Sequence, residues 1–144
     1  MRYAKAIKDL RSFNRFYTNI IGVVDRHILE SPYSLTEVRI LYEIHYDAHS
    51  SARKIMSFLR VDEGYLSRTI DRLISQGLVL RKRSREDGRS FILSLSRKGE
   101  AEFLALNRKS EESMESMIYH LSSEEVHELV SIVHRMRQLL TKEQ

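Results

Sequence analysis

The stretch Asp62-Glu63-Gly64-Tyr65-Leu66-Ser67-Arg68-Thr69-Ile70-Asp71-Arg72-Leu73-Ile74-Ser75-Gln76-Gly77 decides how the chain folds. Leu66, Ile70, Leu73 and Ile74 recur at the three- and four-residue steps that line one side of an α-helix. Asp62 has the side chain of an N-cap, able to accept from the unpaired N–H groups of the first turn, and Gly77 suits the position just past a helix end. With the apolar side turned inward, Gly64, Ser67, Arg68, Asp71, Arg72 and Ser75 face outward. Small residues near the start of that face allow close approach to a partner, as a helix lying in the major groove of DNA requires.

On the N-terminal side, Ala52, Ile55, Met56 and Leu59 follow the i, i+3, i+4, i+7 rule of a two-turn helix, joined to the first by a tight turn. On the C-terminal side the period changes to two. Phe91, Leu93 and Leu95 alternate with Ile92, Ser94 and Ser96, while Leu78 to Arg83 passes from apolar into basic residues, so two strands are expected. Between them, Ser84 to Ser90 holds an Asp87-Gly88 step, which favours the positive φ angles of a tight hairpin. Two short helices around a turn, the second followed directly by a basic hairpin, outline a winged helix-turn-helix. The expected fold is mainly α with a small β-hairpin wing.

The chemistry of this unit is that of a DNA reader. Arg68 and Arg72 are one helical turn apart, and either could fork onto a guanine edge or neutralise a phosphate; the sequence leaves both roles open. Ser67 could bond a base or a backbone oxygen. Arg85 and Arg89 fall at the hairpin tip, where a wing enters the minor groove, and Arg89 is the stronger candidate unless Asp87 or Asp71 holds it in an ion pair. Lys82 and Arg83 suit phosphate contacts. The charge distribution agrees: residues 60–98 carry ten Lys/Arg against five Asp/Glu, a net +5, whereas the rest of the chain carries 14 against 15. A polyanion is the natural partner of such a segment.

Further out, Ile7, Leu10, Tyr17, Ile20, Val24 and Ile28, widened by Phe13, Phe16 and Ile21, predict a long first helix. Pro32 interrupts the chain, and Ser34 with Glu37 has capping-box spacing for a helix running to about Tyr46. Ser96 can cap a helix reaching about His120, and Ser122 with Glu125 forms a second capping box before Val126, Leu129, Val133, Met136 and Leu140. The expected division is a winged-helix core at 34–95, with 1–30 and 96–144 as helices of a dimer domain. Packing of the terminal helices within one chain is the competing reading of the same stripes.

At 144 residues, with 42% hydrophobic and 31% charged residues, the chain is expected to form one soluble unit rather than a disordered tail. It has no cysteine, so disulfides, thiolate metal sites and thiol-based sensing are excluded. No apolar run approaches the ~20 residues of a membrane span, and the N-terminus lacks the apolar core of a signal peptide, which predicts a cytoplasmic protein.

The phrases Ser34-Leu35-Thr36-Glu37-Val38-Arg39-Ile40-Leu41, Leu66-Ser67-Arg68-Thr69-Ile70-Asp71-Arg72-Leu73, Gly77-Leu78-Val79 and Asp87-Gly88-Arg89 leading into Leu93-Ser94-Leu95-Ser96 resemble the MarR family of bacterial transcription regulators. The wing phrase matches that family's Asp-x-Arg signature. The resemblance implies a homodimer joined through its terminal helices, a pseudopalindromic double-stranded DNA operator, and a repressor released by a small ligand. The phrases Ser31 to Glu37 and Gly64 to Arg68 are also similar to the regulator half of fusions between this family and an acetyltransferase, without the acetyltransferase half.

An effector pocket is expected between the dimer helices and the DNA-binding core, with Phe13, Phe16, Tyr17, Tyr42 and His45 as wall residues. Two rival readings are a metal-responsive regulator using His45, His49, Glu43 and Asp47, and a DNA-binding protein with no effector. Catalysis is not expected. His127-Glu128-Leu129-Val130-Ser131 lacks the second histidine of a zinc-protease helix, and no phosphate loop, dinucleotide fingerprint or nucleophile elbow is present, so no cofactor is expected either.

Overall fold

The computed structural model describes residues 2–24 and 30–142. In chain order the elements are α1 (Ala4–Val24), α2 (Leu35–Tyr46), α3 (Ala52–Leu59), α4 (Glu63–Ser75), β1 (Val79–Arg83), β2 (Phe91–Leu95), α5 (Arg97–Ile118) and α6 (Ser123–Leu140). This is the mainly helical fold with one antiparallel hairpin that the periodicity predicts. The continuation of the first helix to Ile28 lies outside the described residues.

Local chemistry explains most of the boundaries. At the start of α2, the Ser34 hydroxyl accepts from the Glu37 amide at 3.2 Å, and the Glu37 carboxylate accepts from the Ser34 amide at 3.1 Å. Ser122 and Glu125 repeat this reciprocal cap before α6. Ser51 and Asp62 accept from Lys54 N and Tyr65 N to cap α3 and α4. At the end of α4, Gly77 adopts φ 75°; its amide reaches the Ile74 carbonyl and the Leu78 amide reaches the Leu73 carbonyl, the paired bonds of a Schellman ending.

The wing corrects one sequence expectation. β1 and β2 pair antiparallel, with Val79 opposite Leu95 and Arg83 opposite Phe91. Gly88, however, has no positive φ; among the described residues only Gly77 and Arg60 do. The connection is a longer loop, in which the Ser90 amide bonds the Asp87 carbonyl and Asp87 Oδ1 accepts from the Arg89 amide. Side-chain caps from Asp87 and Ser84 do the work that a left-handed glycine would do in a two-residue turn.

The chain divides into two compact units, Met1–Ser110 and Glu111–Gln144. In the first, Ile40, Leu41, Ile44, Ile55, Leu59, Leu66, Ile70, Leu73, Leu78, Val79, Leu93 and Phe103 form one buried cluster. The Leu93 amide of β2 bonds the Ser50 carbonyl at 2.9 Å, tying the wing to the loop before α3. The start of α5 is locked in place. The Ser96 hydroxyl donates to the Gly77 carbonyl and accepts from the Gly99 amide, while the Ser96 amide bonds the Leu78 carbonyl. Tyr33, before α2, lies near Glu102 of α5; burial, then the nearby Glu102 carboxylate, pushes its phenol above the ordinary range. By contrast, α1 exposes Ile7, Leu10, Phe13, Phe16 and Tyr17. In the second unit no residue of α6 is buried. No described helix is long and apolar enough to cross a membrane.

Gly99 is where α5 meets the end of α4 most closely: a Cβ there would sit 1.9 Å from the Leu78 carbonyl oxygen. Gly99→Ala is therefore expected to destabilise the chain by about 3 kcal/mol, a fall in Tm of roughly 10 °C by thermal unfolding. An unchanged Tm would contradict the seating of α5 against Leu78.

Candidate nucleic-acid interface

Helix α4 is held by one side only. Leu66, Thr69, Ile70 and Leu73 are buried, and the Thr69 hydroxyl is satisfied by donating to the Tyr65 carbonyl at 2.8 Å. Ser67, Arg68, Asp71, Arg72 and Ser75 are exposed and Gly64 is half-buried, so the outward face is the one expected from the sequence. Ser75 turns its hydroxyl back to the Arg72 carbonyl at 2.7 Å. The turn that delivers this helix depends on Arg60, which ends α3 in the left-handed conformation at φ 52°. That region costs a residue with a Cβ about 1–2 kcal/mol and is usually left to glycine.

The two candidate arginines of α4 are not equivalent. The Arg68 guanidinium lies over the first helical turn: a Cβ on Gly64 would come within 3.2 Å of its Nη1 and 3.2 Å of Asp62 Oδ2. Gly64 thus makes room for the Arg68 side chain. Arg72 points the other way, donating from Nη1 to Glu37 Oε1 at 2.8 Å. Glu37 is buried at 4% exposure, so its charge is compensated by this one cation and the Ser34 amide.

The wing repeats the division. Arg81 pairs with Asp71 of α4 at 2.9 Å. Arg83 donates to the Gly88 carbonyl at 3.4 Å, and both guanidinium groups lie 5.8 Å from the Phe91 ring centre. Phe91 is consequently an exposed platform at the outer end of β2, whereas Leu93 on the same side of the strand is buried. Among the described residues no side-chain ion pair or hydrogen bond is found for Arg68, Lys82, Arg85 or Arg89. The alternative ion pair for Arg89 is not formed: Asp71 pairs with Arg81, and Asp87 takes only the Arg89 backbone amide. Local spacing does not reveal Glu37 as the ion-pair partner of Arg72, Arg81 as that of Asp71, or the left-handed turn at Arg60, since each depends on the packed chain.

The expected effector residues fall into two groups with no ring contact between them among the described residues. Phe13 and Tyr17 stack at 5.5 Å on α1, where Phe16 is also exposed. Tyr42 and His45 belong to a cluster with Tyr46 and Phe103, in which the His45 ring lies 4.4 Å from Phe103 and the Tyr42 ring 4.6 Å from Tyr46. A shallow groove on α1 is lined by Ala4, Ile7, Lys8, Arg11 and Arg15, none of them a predicted wall residue.

The metal alternative meets competing bonds. His45 Nδ1 contacts Glu100 Oε1 at 2.8 Å, and His49 lies beyond the end of α2. The His49 amide, then Lys54 at 3.1 Å, bond the Asp47 carboxylate and hold it below the ordinary carboxylate range. No cluster of histidine and carboxylate groups able to hold a metal occurs among the described residues.

Residues 33–91 match the sequence profile of the MarR family. The HTH-type transcriptional regulator BilQ of Clostridium symbiosum is 31% identical over 86 residues, covering 60% of this chain and 60% of that protein, so the chain spans less than two thirds of this relative. Among solved structures, a MarR family protein from Bacillus stearothermophilus superposes with a TM-score of 0.83 at 16% identity, covering 96% of this chain and 97% of that one. Wild-type MarR from E. coli in its apo form gives 0.71 at 20% identity, covering 88% of this chain and 94% of that one. The helix-turn-helix and the first part of the wing, residues 33–91, are thus similar in sequence to the MarR family, and solved MarR structures share the fold over most of the chain.

Proposed function

We propose that the chain is a sequence-specific double-stranded DNA-binding transcription regulator, acting in the cytoplasm as a homodimeric repressor on a pseudopalindromic operator and released by a small ligand. The observation that carries this reading is the set Arg68, Lys82, Arg85 and Arg89 on α4 and the wing, with no side-chain ion pair among the described residues, beside cations that the protein keeps paired. An exposed guanidinium on a helix face, with further cations on an adjoining hairpin, is the equipment for one major groove and its flanking minor groove. The name of the Clostridium relative as a transcriptional regulator supports the same reading.

Dimerisation has its own support. Ile7, Leu10, Phe13, Phe16 and Tyr17 on α1, and Leu129, Val130, Ile132, Val133 and Leu140 on α6, are exposed in the single chain. Faces this apolar are covered in stable soluble proteins, and a second copy would cover them. A symmetric dimer also carries its recognition helices about 34 Å apart, the spacing of successive major grooves. For release, the exposed rings of Tyr42 and Tyr46, beside His45 on the buried Phe103, offer stacking surfaces to a planar ligand.

Selection of bound duplexes from a random pool tests the central reading: a symmetric enriched site is expected, and the absence of any enriched site would sink it. On that site, Arg68→Ala is expected to cost about 1–3 kcal/mol and to relax preference at one base pair per half-site. Arg89→Ala should weaken binding while sedimentation still reports the wild-type assembly; unchanged affinity would refute the wing contact. Affinity should fall steeply as salt rises, through counterion release, and a salt-independent affinity would argue against DNA as the partner.

A further inference from the structure

We infer that Arg72 is a positioning residue that clamps the recognition helix to α2 through Glu37, leaving Arg68 as the arginine of this helix that reads base edges; this rests on the DNA-binding reading above. Four observations converge on it. Arg72 Nη1 lies 2.8 Å from Glu37 Oε1, and the Glu37 side chain is only 5% exposed. The other oxygen of the same carboxylate accepts the Ser34 amide that starts α2. One buried group therefore ties a helix start to the outer half of α4. The neighbouring pair, Asp71 with Arg81, has side chains 59% and 39% exposed and is the weaker of the two links. Arg68, one turn earlier, has no such partner among the described residues and lies over Gly64 instead.

The energetics assign the roles. To fork onto a guanine with both terminal nitrogens, Arg72 would have to give up its bond to Glu37. It would leave behind a buried carboxylate compensated by one backbone amide, a cost that opposes the exchange even though the Arg72 side chain is itself 55% exposed. The same withdrawal would loosen the joint that sets the angle of α4 against α2. Arg68 moves at no such cost, because it is not bound to a buried charge. Two arginines that look alike on a helical wheel thus divide the work: one holds the helix and the other probes the groove.

The test compares Arg72→Ala, Arg72→Lys, Glu37→Gln and the neutral pair Glu37→Gln with Arg72→Gln, alongside Arg68→Ala. Each is measured by thermal unfolding and by binding to the wild-type-selected duplex, to a panel of its single base-pair changes, and across a salt series. Arg72→Ala is expected to weaken binding about tenfold on every duplex, with the ranking of the panel and the salt slope retained. Glu37→Gln should weaken binding on every duplex too, although its carboxylate is buried away from any ligand. Arg72→Lys should recover most of the affinity, and the neutral pair, which keeps amides able to bond each other, should lose less than the two single changes combined.

If Arg72→Ala flattens preference at one base pair while Glu37→Gln leaves binding untouched, Arg72 is a base reader and the inference fails. A salt slope reduced by about one in Arg72→Ala, with Tm unchanged, would make it a phosphate contact and overturn the inference as well. Should Arg72→Ala prove too unstable to assay, loss of preference in the neutral pair would overturn it equally. A wild-type chain that retains no duplex in any arm overturns the functional reading itself, an outcome distinct from failures confined to the Arg72 variants.

Discussion

Four elements of the first unit meet at the carbonyls of Gln76, Gly77 and Leu78. Helix α4 ends there through the Leu78 amide and Leu73 carbonyl, and β1 begins one residue later. The end of β2 and the start of α5 return to the same place: Ser96 bonds Gly77 and Leu78, Lys98 reaches the Gln76 carbonyl at 3.2 Å, and Gly99 lies against the Leu78 carbonyl. A positive φ at Gly77 and the missing side chain at Gly99 are both needed, since the first turns the chain and the second lets a helix start approach a bare carbonyl. Because α4 and the wing diverge from this joint, it governs the angle between them. The cations that α4 and β1 carry are useful together only if that angle is kept.

On this frame the positive charge is sorted by burial. Glu37 is the buried acid of the unit and holds Arg72, while Asp71, at the surface, holds Arg81 loosely. Arg83 leans on Phe91 and a loop carbonyl. On α4 and the wing, the cations without a side-chain partner among the described residues are Arg68, Lys82, Arg85 and Arg89. A protein that left every arginine free would repel itself and bind any anion; one that pairs a subset fixes the geometry of the rest. The Arg60 turn, with its unfavourable backbone conformation, belongs to the same economy of position, since a cation sits where glycine would be less strained.

Helix α2 links two chemically different regions. Its first turn carries Glu37, which bonds Arg72 of α4, and its last turns carry Tyr42, His45 and Tyr46, which face Phe103 and Glu100 of α5.

Much of this was legible in the amino-acid order. The switch from a period of three to four residues at Leu66, Ile70 and Leu73 to a period of two at Leu93 and Leu95 is a local signal, and so are the caps at Ser34, Asp62, Ser96 and Ser122; each depends on residues within a turn or two of one another. The element boundaries and the outward face of α4 follow from such short-range rules. The Asp87-Gly88 step misled, because side-chain caps replaced the glycine conformation that the dipeptide favours. What sequence could not rank was Arg68 against Arg72, which have the same chemistry and the same face. Only the tertiary structure separated them, since Glu37 lies 35 residues from Arg72 and is brought to it by the packing of α2 on α4. Local order determines which side chains point outward; burial of a distant carboxylate determines which of them is free to leave.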